Sequence, residues 1–209
     1  MRALLLLLPL LGFAQEPRTD ELYPPAGKPQ PPAELVRCLV KVPVRFFDYE
    51  GNAASGDLIV NKDLAADVAE VFRLIEKSRF PVKSVRVVNE FGWSDSASML
   101  ADNTSAYNFR PITGGHSLSL HATGRAIDIN PYCNPYFNRG VSDPPNTRHD
   151  PSKPCALDGE KGKAVIDLFR RLGWKWGGSW TNPIDYQHFE KPGPDYCKPT
   201  TTGAENREL

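Results

Sequence analysis

The chain carries no excess charge of either sign: its 209 residues include 25 basic and 25 acidic side chains. No global field draws it toward nucleic acid or anionic lipid, although a local patch is not excluded by this, and nucleic acid is not expected as a partner. Cysteine and histidine are scarce, with four of each. No two cysteines stand in C-x-x-C spacing, which argues against a thiolate metal site. No internal repeat is visible. Beyond the N-terminus no apolar run approaches the roughly 20 residues that a bilayer span needs, so a permanent membrane anchor is not expected.

Met1 to Ala14 reads MRALLLLLPLLGFA. Arg2, a short apolar run and the small residues Gly12 and Ala14 give the pattern of a secretory signal peptide over residues 1–14. No cysteine follows the expected cut, which argues against a lipid-anchored form. Residues 15–34 hold Pro17, Pro24, Pro25, Pro29, Pro31 and Pro32 and few apolar residues, and are expected to form an extended linker without a core of its own. One domain should follow over residues 35–197, with a polar tail at 198–209. A monomer is expected.

All four cysteines lie in the exported part, where an even number reads as disulfides. Cys133 with Cys155 is the favoured pair. The segment between them holds Pro135, Pro144, Pro145, Pro151 and Pro154 and looks like a long loop that needs fastening. Cys38 with Cys197 would then join the ends of the domain.

The periodicities are mixed. Val36 to Phe47 reads as a strand, with Pro43 marking an edge or bulge, and Asp57 to Val60 can pair with it. Asn61 is a cap for a helix whose Leu64, Val68, Val71, Phe72 and Ile75 recur at helical spacing. Ser84 to Val88 suggests a strand, Ser94 to Ala101 a short helix and Tyr107 to Arg110 a strand end. Asp158 can cap a helix with Val165, Ile166, Phe169 and Leu172 as its buried stripe and Gly173 as its stop. Of the tryptophans in WKWGGSW, Trp180 is expected near a site and the others in the core.

The densest chemistry lies in Ser117 to Pro131, SLSLHATGRAIDINP. His121 and Asp128 stand seven residues apart with Gly124 between them. In an extended strand Ala126, Asp128 and Asn130 share one face while Ile127 and Ile129 enter the core. An imidazole and a carboxylate make two thirds of a catalytic zinc site, which has three protein ligands and a water. His188, in GGSWTNPIDYQHFE, can supply the third. A lone histidine is more commonly a surface or core residue, so the spacing alone does not decide the matter.

These segments resemble a known family. SLHATGRAIDI fits the S-x-H-x-x-G-x-A-x-D-[IV] signature of the zinc D-alanyl-D-alanine peptidases, the VanY-like carboxypeptidases and related L-alanyl-D-glutamate endopeptidases. DYQHFE resembles their second motif, an Asp or Glu three residues before the last zinc histidine. TSAYNFRPITGG resembles the segment carrying their arginine. The resemblance implies an α+β fold, a small antiparallel sheet flanked by helices, of the hedgehog/DD-peptidase kind. It implies one zinc ion held by His121, Asp128 and His188, with Asp185 as general base and Arg110 steadying the substrate carbonyl. Asp185 is expected in the turn before the strand that carries His188. Ser119 either holds substrate or makes an ordinary turn hydrogen bond, and Glu190 either orients a ligand imidazole or is an edge charge.

The implied partner is the stem peptide of bacterial peptidoglycan, and the implied location secreted or periplasmic. A second class of function is open: a non-catalytic, zinc-containing wall-binding module of the same fold. A third is a secreted structural domain whose motif match is accidental.

Overall fold

The computed structural model describes residues 14–112 and 115–194. Short helices α1 (Thr19–Leu22) and α2 (Ala33–Val36) precede the hairpin of β1 (Leu39–Phe47) and β2 (Ala53–Asn61). Helix α3 (Ala65–Ser78) follows, then β3 (Ser84–Val85), α4 (Asp95–Leu100) and β4 (Asn103–Thr104). The second half holds β5 (Ala126–Asp128), β6 (Tyr136–Asn138), β7 (Val141–Asp143), α5 (Lys163–Arg171), β8 (Lys175–Trp176), β9 (Ile184–Asp185) and β10 (His188–Glu190). No helix among the described residues is long and apolar enough to cross a membrane.

The architecture is α+β, with several small sheets in place of one. β1 and β2 pair antiparallel along their whole length, and Pro43 sits opposite Asp57. A two-stranded ribbon has only edges, so the missing N–H of a proline is tolerated. β5, β10 and β8 form an antiparallel sheet in the order β5-β10-β8, and β7, β6 and β9 another in the order β7-β6-β9. β3 and β4 are parallel.

Helix α3 forms where apolar residues recur at i, i+3, i+4 and i+7: Val68, Val71, Phe72 and Ile75 are its buried face. Asn61 caps the 3-10 turn leading into it by accepting from the Asp63 N–H at 3.3 Å. The core collects this face, the inward residues of β1 and β2, the buried stripe of α5, and Ile127 and Phe189 from the middle sheet. The Phe169 and Phe189 rings stack at 4.0 Å between centroids. Trp174 and Trp176 are packed into this core, as expected.

Two expectations are corrected. Residues 15–34 are no free tether. Within them Leu22 packs into a second cluster with Leu35, Leu39, Ile59, Tyr107 and Phe109 of the domain. The Tyr107 hydroxyl donates to the Leu22 carbonyl at 2.9 Å, and Gln15 and Lys41 exchange backbone hydrogen bonds. Glu21 is buried against the Lys41 ammonium at 3.2 Å, an ion pair that neither group could abandon cheaply inside the protein. Nor does Asp158 cap α5, whose N-cap is Gly162. Asp158 turns instead to His149, at 2.9 Å.

Cys133 and Cys155 are bonded, as expected. The expected pairing of Cys38 with Cys197 lies outside the described residues, as do the tail and residues 1–13 of the expected signal peptide.

Candidate functional site

The segment carrying His121 is a 3-10 turn, Leu120–Thr123, bounded by Ser119 and Gly124. The Ser119 hydroxyl accepts the His121 N–H at 3.3 Å, which is the turn role foreseen for it, although Ser119 also lines the cavity described below. Gly124 adopts φ +66° and lies against β2; a Cβ there would fall 2.6 Å from the Asn61 nitrogen and 2.7 Å from a Leu39 methyl. Its carbonyl accepts the Asn61 N–H at 2.9 Å. Gly124→Ala is therefore expected to destabilise the protein by about 2–4 kcal/mol, the sum of left-handed strain and overpacking. The midpoint of urea unfolding checks this.

Asp128 ends β5, and His188 opens β10 directly opposite it in the antiparallel register. On this pair's other face, Ile127 and Phe189 are fully buried, so burial of the alternate residues fixes which way the two polar groups point. His121 Nδ1 stands 2.7 Å from the Ala106 carbonyl. A carbonyl only accepts, so Nδ1 donates there and Nε2 is the atom turned toward the other two groups. His121 Nε2 lies 3.1 Å from Asp128 Oδ2 and 3.2 Å from His188 Nδ1. His188 Nδ1 lies 3.0 Å from Asp128 Oδ1.

These three groups form a buried set able to hold a metal ion. Ligands around a tetrahedral zinc at about 2.0–2.2 Å stand roughly 3.3 Å from one another, so the triangle has the size such an ion requires. The other nitrogen of His188 faces Glu190 Oε2 at 3.4 Å, a carboxylate placed behind an imidazole.

The electrostatics follow from burial and contact. Burial opposes the charge on Asp128, but His121 and His188 together outweigh it and hold its carboxyl well below the usual range. Burial opposes the charge on His188 as well. The hydrogen bonds with Asp128 and Glu190 win there, and the imidazole is pushed up to about 10. The metal-free protein thus carries a proton on His188 at neutral pH. That proton favours the metal-free fold fully below 6.5, and the benefit is lost as pH rises through about 10. A metal must displace it. Metal binding at pH 7–8 is expected to release about one proton, and affinity to fall about tenfold per unit of decreasing pH. Titration calorimetry in buffers of different ionisation enthalpy measures the release directly.

A cavity of about 330 Å³ opens over the triad. Met99, Ile112, Leu118 and Trp180 give it apolar walls, and Arg110, Asp185 and Gln187 line it with polar groups. The Trp180 ring lies 5.5 Å from that of His188, which puts Trp180 near the site as foreseen.

Asp185 is not in a turn, as expected, but in β9, opposite Tyr136 of β6. Its Oδ1 is buried with no hydrogen-bond partner among the described residues. Burial, aided by the Asp128 charge and opposed by His188, pushes its carboxyl up to about 7.

Arg110 is the only lysine or arginine among the described residues lining the cavity. It lies on irregular backbone rather than a strand end, and its Nη2 meets Asp95 Oδ2 at 2.8 Å. The other oxygen of Asp95 accepts from Asn108 Nδ2 at 3.1 Å. Sequence reasoning missed Asp95, because an acidic residue in the first turn of a helix ordinarily serves the helix itself. It also missed Gln187, buried in the cavity wall with its Oε1 unpaired among the described residues.

A family model described as D-alanyl-D-alanine carboxypeptidase matches residues 113–191, under half of the chain. The matched span includes His121, Asp128, Asp185 and His188 and begins after Arg110. No curated protein and no solved structure matches the chain. The family match supports a peptidase and is compatible with the mixed helix and sheet architecture.

Proposed function

We propose that this protein is an exported zinc peptidase that hydrolyses peptide bonds in the stem peptides of bacterial peptidoglycan, with the fold of the D-alanyl-D-alanine peptidases and hedgehog domains. The observation that carries the reading is the convergence of His121 Nε2, Asp128 and His188 Nδ1, with ligand atoms within 4.8 Å of one another, in a cavity that Asp185 and Arg110 also line. Two imidazoles and a carboxylate suit zinc. When bound there, the ion would polarise the scissile carbonyl and bring the pKa of a water toward about 7.

The remaining work falls to the protein's own side chains. Asp185, with a buried oxygen that has no partner among the described residues, takes the proton of the attacking water and returns it to the leaving amine. The Arg110 guanidinium, held by Asp95, presents fixed positive charge where negative charge develops on the carbonyl oxygen, and does so in a site partly closed to water. Glu190 keeps the His188 ring oriented from behind. Residues 1–14 direct export, and the Cys133–Cys155 disulfide agrees with an oxidising compartment. The protein acts as a monomer.

The test is incubation of the zinc-loaded protein with a synthetic stem pentapeptide containing both the L-alanyl-D-glutamate and the D-alanyl-D-alanine bond, followed by mass spectrometry. Cleavage identifies the bond and the exo or endo mode together. Retention of the peptide on the zinc-loaded protein with no product would replace the enzyme by a wall-binding module.

A further inference from the structure

Tyr186 is held from several sides by groups that the proposed chemistry leaves unused. Its ring stacks on that of His149 at 3.6 Å between centroids and 10° between planes, closer than the roughly 4.5–7 Å usual for aromatic pairs. Phe137 meets the same ring edge-on at 6.3 Å. Its carbonyl accepts from Trp176 Nε1 at 2.9 Å. His149 is itself anchored, with Nε2 2.9 Å from Asp158 Oδ2. Neither His149 nor Tyr186 lines the cavity.

His149 and Phe137 both belong to the segment closed by the Cys133–Cys155 disulfide. The same segment supplies β6, whose Tyr136 pairs with Asp185, and Pro135, whose carbonyl accepts the Tyr186 N–H at 3.4 Å. Tyr186 directly follows Asp185, at the turn between β9 and β10. With its ring and its N–H both fixed to the disulfide-closed segment, the peptide unit that joins it to Asp185 is held, and Asp185 lines the cavity. From the far side Gly177 abuts Asp185 so closely that a Cβ there would lie 2.7 Å from the Asp185 carbonyl oxygen.

We infer that the disulfide-closed segment 133–155 is the device that aims Asp185, and that His149 is a positioning residue acting through the ring of Tyr186. The inference rests on Asp185 being the general base. A displacement near 1 Å of a reacting group can cost about a hundredfold in rate, which sets the scale of the effect.

The experiment compares His149→Ala and His149→Phe with the parent, all zinc-loaded, on the stem pentapeptide. His149→Ala should keep full metal content and a KM within about twofold, while kcat falls about 10–100-fold. Amide hydrogen exchange at Ile184, Asp185 and Tyr186 should accelerate. His149→Phe keeps a stacking ring without the link to Asp158, and should restore kcat to within a fewfold of the parent. In an Asp185→Asn background His149→Ala should cost little more, because the group it aims is already gone.

Unchanged exchange at residues 184–186 in His149→Ala overturns the inference whatever the activity. So does an unchanged kcat in that variant, or an equal loss of kcat in the Asp185→Asn background. Accelerated exchange together with an Asp185→Asn protein of full activity would instead leave the mechanical link standing and remove the base assignment.

Discussion

His121→Ala and His188→Ala are each expected to leave the protein without stoichiometric zinc and to lower peptide hydrolysis by roughly 10³-fold or more. Lewis-acid stabilisation of several kcal/mol is lost with the ion, and each 1.36 kcal/mol is about tenfold in rate. The two variants should differ in their metal-free behaviour. His121 gives one nitrogen to the Ala106 carbonyl and one to the triad. His188 shares one nitrogen with Asp128 and the other with Glu190, so its removal strips a partner from two carboxylates.

His188→Ala should therefore be the less stable of the pair at neutral pH, since the carboxylates lose the imidazolium that favours their charged forms. Metal analysis after dialysis, with thermal melting of the metal-free proteins, separates the two effects. His116, which is exposed, and His149, whose ring is stacked on Tyr186, serve as controls: replacing either by alanine should leave zinc at one ion per chain. A fully active His188→Ala enzyme would end the assignment of the triad.

What could be read from the sequence depended on how local the cause was. The alternation of Ala126 to Ile129 set Asp128 against the two isoleucines, and the structure buries both isoleucines completely. The same alternation failed one residue later. Asn130 adopts φ +48° and leaves the strand to accept the Lys83 N–H and donate to the Pro81 carbonyl, partners nearly fifty residues away that no local pattern announces. The helix of Ala65–Ser78 was legible because its buried face repeats within one element.

The failures share one cause, which is a contact lying outside the local pattern. Six prolines make residues 15–34 look like a tether, yet Leu22 and the buried Glu21–Lys41 pair dock it, Leu22 in a cluster with Leu35, Ile59, Tyr107 and Phe109. Asp158 had the right spacing for a cap, but His149, nine residues away, competes for it. Asp185 sits in a strand only because Tyr136 lies opposite. Such a two-residue strand has no period of its own to detect. The triad itself was proposed from residue types and a family resemblance. Its convergence depends on the cross-strand placement of Asp128 against His188, a register that neither segment encodes alone.

Asp185→Asn should retain one zinc per chain and lose about 10²–10⁴-fold in kcat, the range that removal of a general base gives. Metal retention is expected because the Asp185 carboxylate is not among the three converging ligand groups. The substitution should also raise the stability of the metal-free protein, and the pH dependence of that gain has a definite sign. Burial raises the folded-state value of Asp185 from 3.8 to about 7. Its contribution is therefore favourable below 3.8, where the acid is neutral in both states, and is lost as pH rises through about 7. An asparagine has no charge to bury, so the variant's gain on the parent in melting temperature should grow as pH rises from 3.8 to about 7 and level off above that. A residue whose replacement abolishes turnover while strengthening the fold is held in place for chemistry at a cost in stability. Loss of zinc in Asp185→Asn would make Asp185 a ligand, and undiminished kcat would leave the reaction without its proton acceptor.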